Sequence, residues 1–307
     1  MQRMLPFSSM NACRMLPALL LAIAGPVSLA AQPADPPANG LFEVTVTGEG
    51  PPLIFLPGLA SGGDVWDSTV AHYRNRYRCH VLTLAGFAGV SPVDRTPFLP
   101  AVRDALIEYI RRNHLEKPVL VGHSLGGFLA LWVAATEPDL AGALIILDAL
   151  PFLAATRQPD ATPETVRPLA EQMRAMLAAQ TPEQFRAYQA QVLPTMITAP
   201  DDVAEVLESV ARSDPKTVAQ AFYELYTTDL REDLARITAP VLVIGTWTGY
   251  RPYLTREQVQ ERFRAQYARL PNGRIVLSET ARHFVMYDDP DGMLAEMDAF
   301  LSNLASP

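Results

Sequence analysis

Short apolar runs recur along the chain, and most are followed by a stretch in which apolar positions return every third or fourth residue. Phe42 to Thr47 alternates apolar and polar positions, the pattern of a strand with one covered face. Leu53-Ile54-Phe55-Leu56 is apolar throughout and stops at Pro57-Gly58. Arg78 to Leu84, Val119 to Val121, Ala143 to Leu147, Val241 to Ile244 and Arg274 to Leu277 read as further strands. Between them, Pro100 to Arg112 puts Val102, Leu106, Tyr109 and Ile110 on one helical face. Helices are also expected from about Gly126 to Ala135, near Arg256 to Tyr267 and near Asp291 to Leu304. Uninterrupted apolar strands alternating with helices imply a mostly parallel sheet covered on both faces, an α/β fold.

One segment breaks this rhythm. From Leu150 to Ala239 the sequence holds 90 residues without a strand run. Thr181-Pro182-Glu183-Gln184 fits a capping box with proline at the first helical position. Phe185, Tyr188 and Val192 follow on one face. Val203, Val206, Leu207 and Val210 mark another amphipathic helix, and Pro215 opens a third with Val218, Phe222 and Leu225 inward. Residues 41–149 and 240–305 are therefore expected to form one α/β core, with 150–239 as a helical insertion. Met173, Met176 and Met196 belong either to the packing of that insertion or to a pocket beneath it.

The first residues follow a different logic. Arg3 and Arg14 are the only charges before Asp35. An apolar run from Leu16 to Ala24 follows Arg14, then Pro26 and small residues ending Ser28-Leu29-Ala30. This is the pattern of a secretory signal peptide over residues 1–30, cut near Ala30. The run is short for a membrane span and is interrupted by Pro17 and Pro26. The expectation is an exported protein, periplasmic or extracellular, with no stable membrane insertion after cleavage. Residues 31–40 are proline-rich and read as a disordered lead-in. Loss of Arg3 and Arg14 takes the formal net charge from -8 to -10. An acidic chain is poorly suited to nucleic-acid binding, which relies on positive charge. Cys13 leaves with the signal, and Cys79 is then the single cysteine, so no intramolecular disulfide is possible; Cys79 reads as a buried small apolar residue.

Chemistry is concentrated at Gly122-His123-Ser124-Leu125-Gly126, a G-x-S-x-G motif between an apolar strand and a helix. That context is what the motif requires. The turn is so tight that small residues must flank the serine, which lifts its hydroxyl above the sheet edge. The backbone N–H of Leu125 then faces a bound oxyanion at a helix N-terminus. A serine needs a base to accept its proton and an acid to orient that base. Of five histidines, His72 and His114 fall in or beside helical stretches and His80 begins a strand. His123 neighbours the serine, so its side chain is expected to leave the turn in another direction. His283 lies between the last strand and the last helix, late in the chain, as the order Ser, acid, His demands.

On Gly122-His123-Ser124-Leu125-Gly126-Gly127, the upstream Leu56-Pro57-Gly58-Leu59 and the late Arg282-His283-Phe284, the sequence resembles the α/β-hydrolase superfamily from about Phe42 to Leu304. The resemblance implies an eight-stranded sheet with a helical cap inserted after the sixth strand, where Leu150 to Ala239 falls. In that family the acid commonly follows the seventh strand. Here Gly245-Thr246-Trp247-Thr248-Gly249-Tyr250 carries no carboxylate. Some members, certain haloalkane dehalogenases among them, place the acid after the sixth strand. Asp148 follows Leu144-Ile145-Ile146-Leu147 directly and is the candidate acid. The other reading of Asp148 is a helix cap, with Glu279, Asp288 and Asp289 as fallback acids. Leu56-Pro57-Gly58-Leu59 resembles the family's His-Gly-x-x turn with Pro57 in place of histidine, which makes the backbone N–H of Leu59 the second oxyanion donor. Trp247 falls where the family's acid loop faces the site and is a candidate pocket residue.

These residues imply acyl transfer through Ser124, His283 and Asp148. No His/Cys/Asp cluster has metal-ligand spacing, and no Gly-rich phosphate loop is present, so neither metal nor cofactor is expected. The expected partner is a small-molecule acyl substrate, a carboxylic ester first. An amidase or peptidase, a lactonase or a perhydrolase is the alternative on the same scaffold, and a non-enzymatic binding protein the third.

Overall fold

The computed structural model describes Met1, residues 40–156 and residues 158–304. The signal peptide expected over 1–30, apart from Met1, and the lead-in expected over 31–40, apart from Gly40, lie outside the described residues. Apart from Met1, the described residues belong to one compact unit, Pro33–Pro307.

Seven strands form one sheet: β1 (Phe42–Thr47), β2 (Pro52–Leu56), β3 (Arg78–Leu84), β4 (Val119–His123), β5 (Ala143–Leu147), β6 (Val241–Thr246) and β7 (Gly273–Ser278), in the order β1-β3-β2-β4-β5-β6-β7. The apolar runs occupy the middle. Every residue of β5 and β6 is buried, and β4 is buried from Leu120 onward. A strand with helices on both sides has no solvent face, so its sequence loses the alternation of a half-exposed strand. β1 is an edge strand and keeps that alternation; it pairs antiparallel with β3, Phe42 opposite Leu84 and Thr47 opposite Cys79. All other pairings are parallel. The resemblance implied eight strands, and the described residues have seven.

Among the described residues ten α-helices complete the fold: α1 (Asp67–Tyr73), α2 (Phe98–Arg112), α3 (Leu125–Thr136), α4 (Pro163–Ala178), α5 (Pro182–Val192), α6 (Pro200–Val210), α7 (Pro215–Thr227), α8 (Arg256–Gln266), α9 (Val285–Asp288) and α10 (Pro290–Leu304). Helix α3 is buried along most of its length, as its nearly all-apolar sequence requires. The segment between β5 and β6 carries α4 to α7 and no strand among its described residues. The Thr181 box forms, with Gln184 returning to the Thr181 N–H. Helix α4 opens on a similar device at Thr162 and Thr165. Val206 and Val210 of α6 and Val218 and Leu225 of α7 are buried, while Phe222 is half-buried on Tyr226. Met196 packs against the core, whereas Met176 is exposed. Cys79 is free and buried. Among the described residues no helix is long and apolar enough to cross a membrane.

Candidate active site

The parallel strands bring the candidate residues to one edge. His123 ends β4 and pairs with Leu147, the end of β5. Ser124 and Asp148 therefore emerge side by side at the carboxyl ends of adjacent strands, where open α/β sheets hold their ligands. The ladder extends one step past each strand: Ser124 N–H donates to the Leu147 carbonyl (2.9 Å) and Asp148 N–H to the Ile244 carbonyl (2.8 Å).

Ser124 occupies φ 51°, ψ -117°, a conformation L-residues rarely adopt. Its neighbours show why the turn closes so tightly. A Cβ on Gly122 would overlap the backbone of Gly126, and one on Gly126 would overlap the Leu56 carbonyl. A Cβ on Gly127 would meet Ala149 Cβ at 2.6 Å. The glycines thus let β4, α3 and the turn after β2 touch through backbone. Gly58 in that turn lies beside the serine, since a Cβ there would sit 3.4 Å from Ser124 Cβ and 2.9 Å from His123 Nδ1. The amides of Leu59 and Leu125 have no hydrogen-bond acceptor among the described residues. Leu125 is the first residue of α3, so its N–H is one of the groups a helix leaves open. Ala60, just beyond Leu59, is also at positive φ, 62°, and Ser213 Oγ in the helical segment donates to its carbonyl at 2.8 Å.

His283 reaches the same edge from the loop after β7. Its Nδ1 lies 2.7 Å from Asp148 Oδ2. Asp148 Oδ1 accepts from Thr246 N–H at 3.0 Å. The carboxylate is thus held on both oxygens, with its side chain only 9% exposed and that of His283 26% exposed. Such a carboxylate fixes the ring so that Nε2 is the nitrogen left for chemistry. The loop itself is pinned. Phe284 N–H donates to the Met196 carbonyl (3.2 Å), Arg282 Nη1 to the carbonyls of Pro194 and Ile197, and Asp288 accepts from Arg282 N–H (2.8 Å) and from Thr198 N–H (2.8 Å). The fallback acids are committed elsewhere: Glu279 pairs with Arg256, Asp288 holds Thr198 and Arg282, and Asp289 accepts from Ser278 Oγ.

Trp247 follows Thr246 and packs against the core with the Arg251 guanidinium 4.5 Å over its ring; its indole N–H is buried without a partner. Three histidines lie in other surroundings. His72 pairs with Asp298 at the surface, His114 ends the turn after α2, and His80 is buried against the Tyr109 hydroxyl.

The His123 ring leaves the turn toward the loop that carries His283. Its Nε2 lies 3.0 Å from the His283 carbonyl, and its centroid is 4.6 Å from that of His283 and 4.7 Å from Phe284. Complete burial, with His283 beside it as the lesser cause, holds its pKa well below the usual histidine value. The motif leaves that position open, so the sequence carries no signal for this contact. Among the described residues no group of three or more His, Cys, Asp or Glu side chains is gathered as a metal ion would need.

An elbow serine on a parallel sheet and, on the same edge, a histidine held on an aspartate are the setting in which comparison with known proteins is read. The chain belongs to the alpha/beta hydrolase family, whose sequence profile matches residues 53–296, and it is an enzyme of the serine hydrolase type. It is 27% identical over 259 residues to a pimeloyl-[acyl-carrier protein] methyl ester esterase of Aliivibrio salmonicida, covering 83% of this chain and 93% of that one. The corresponding Vibrio cholerae esterase is 28% identical over 198 residues, 64% of this chain and 75% of its own. Among solved structures, the fold is similar to an enol-lactonase from Burkholderia xenovorans (TM-score 0.69, 20% identity, 85% of this chain and 96% of that one). It is also similar to a thermophilic esterase from Thermogutta terrifontis (TM-score 0.70, 20% identity, 86% and 94%).

Proposed function

We propose that the protein hydrolyses carboxylic esters of small molecules through Ser124, His283 and Asp148. The observation that carries this reading is the 2.7 Å contact between His283 Nδ1 and Asp148 at the strand edge where Ser124 stands. His283 Nε2 takes the hydroxyl proton as Ser124 Oγ attacks the ester carbonyl. Asp148 stabilises the imidazolium that forms. The amides of Leu59 and Leu125, which have no acceptor in the protein, receive the oxyanion, a contribution of about 3 kcal/mol per donor. The intermediate collapses, the C–O bond to the alcohol breaks, and His283 returns the proton to the leaving oxygen. Water then attacks the acyl-enzyme, His283 again acting as base, and the carboxylic acid leaves with Ser124 restored. The esterase relatives support an ester in preference to an amide. The segment 150–239 acts as a cap over 41–149 and 240–305, a reading supported by its hydrogen bonds to the His283 loop and to Ala60.

The test is turnover of p-nitrophenyl esters of graded acyl length by wild type and Ser124→Ala. Wild type is expected to turn over at least one ester and to be labelled by a fluorophosphonate. Ser124→Ala is expected to lose about a thousandfold or more in kcat and all labelling. Wild-type activity unchanged in Ser124→Ala defeats the mechanism. The protein is also proposed to be exported, on the Arg3/Arg14, apolar-run and Ser28-Leu29-Ala30 pattern. Cell fractionation and N-terminal sequencing of the purified protein should give a chain starting at Ala31 outside the cytoplasm, and an intact Met1 there contradicts it.

A further inference from the structure

Histidine 123 is the residue on which three parts of the site converge. It ends β4 immediately before Ser124. Its Nδ1 edge lies against Gly58, one residue before the open amide of Leu59. Its Nε2 meets the backbone carbonyl of His283 at 3.0 Å across 160 residues of sequence. Carbonyl oxygens only accept, so Nε2 carries the proton and Nδ1 is bare; Nδ1 is buried without a partner accordingly. The ring is fully buried and flanked by His283 and Phe284. A hydrophobic residue would fill this volume without leaving an unsatisfied nitrogen. What a histidine adds is one donor aimed at the backbone of the base.

We infer that His123 is a positioning residue, a neutral imidazole whose Nε2–H holds the backbone of His283 and so sets the height of the His283 ring above Ser124. The inference rests on the proposed Ser124 and His283 chemistry. Asp148 fixes the orientation of the His283 ring from one side, whereas His123 fixes the chain that carries it. Neutrality matters for the same reason. His283 becomes an imidazolium during turnover, and a second cation 4.6 Å away would oppose it. Burial keeps His123 uncharged.

Three substitutions separate this role from plain packing. His123→Gln puts an amide N–H near the place of Nε2, His123→Asn puts it near the place of Nδ1, and His123→Phe keeps the ring with no donor. The expected result is kcat within about fivefold of wild type for Gln and a fall of about 30- to 100-fold for Asn and Phe, with KM within about twofold throughout, as for a base displaced by a fraction of an ångström to an ångström. Full kcat in the Phe variant, or Gln falling as far as Asn and Phe, overturns the inference. Should Phe fail to fold, the Gln and Asn pair decides the question. Nitrogen-15 NMR of the histidine rings gives a readout independent of activity. It should show His123 as the Nε2–H tautomer with no titration between pH 5 and 8, and an Nδ1–H tautomer overturns the clamp. Ser124→Ala run alongside keeps the two failures apart. Loss of turnover in Ser124→Ala together with full kcat in His123→Phe defeats the positioning role alone. Wild type inactive on every ester defeats the functional reading, while NMR still decides the hydrogen bond.

Discussion

Ala60, Ser124 and Asp148 all adopt positive φ although none is glycine. Each stands at the same sheet edge, and such conformations persist only where the surroundings over-determine them. For Ser124 the cause is legible in the sequence, because Gly122, Gly126 and Gly127 announce a turn in which backbones touch. For Asp148 it is half legible. The missing carboxylate after β6 pointed to it, but its hold on Thr246 N–H depends on β5 and β6 being neighbours, which no local pattern encodes. His123 was not legible at all, since its partner is a backbone carbonyl far along the chain. Another buried histidine bears on stability. Burial, and then Arg78, push His80 down to about 4. Between that value and the unfolded value of 6.5 the unfolded chain binds the extra proton. Stability is therefore complete above pH 6.5 and falls as pH drops toward 4, by about 3 kcal/mol for this group. Denaturant unfolding of wild type and His80→Gln across that range should show a shallower pH dependence in the variant. Parallel curves exclude His80 as the source.

At the scale of elements, the strands follow their apolar runs closely because buried parallel strands leave no other use for such runs. No range is read from the sequence for helices α1, α4 and α9. The first is two turns with a mixed pattern, the second has Pro168 inside it and few buried positions, and the third is a single turn. How helix ends are satisfied across space leaves no local signal either. Pro97 precedes α2 and offers no side-chain cap. Glu224 of α7, buried, supplies it instead: its carboxylate accepts from Phe98 N–H (2.9 Å) and Leu99 N–H (2.6 Å) and from Gln220 Nε2 (2.6 Å). Read from sequence, Glu224 looks like any solvent-facing glutamate. Its contacts join the helical segment to the core through the positive end of α2. Glu224→Ala leaves both amides buried and unpaired and should cost about 2–4 kcal/mol in unfolding free energy, with Glu224→Gln intermediate. A change under about 0.5 kcal/mol for the alanine variant would show that water replaces the carboxylate at no cost.

For the whole molecule, the question is how firmly the segment 150–239 is coupled to the His283 loop. Asp288 is the joint, accepting from Thr198 N–H and Oγ1 on one side and Arg282 N–H on the other. An asparagine there keeps the size but gives up one acceptor. Asp288→Asn is expected to speed proteolysis around residues 193–199 severalfold and to lower kcat/KM about tenfold, the two changing together. Activity that survives while the loop is cut faster would uncouple the segment from His283. The insertion as a stretch without strands was visible in sequence, since helical periodicity is local. Its points of attachment were not, because Asp288, Arg282 and Ser213 act through backbone groups of distant loops.

The order of the strands also bears on synthesis. β5 is buried on every side, and one of its two neighbours, β6, starts only at Val241. A nascent chain therefore carries β5 with one edge bare while the whole intervening segment is translated, about 5–20 s at ordinary elongation rates. An apolar strand edge left open is a template for pairing with the wrong chain. Asp148 lacks its Thr246 partner for the same interval, so no partial chain holds an assembled site. Truncated chains ending before β6 should be the species that aggregate and that engage cellular holdases, and protection is complete only when the last quarter of the protein arrives.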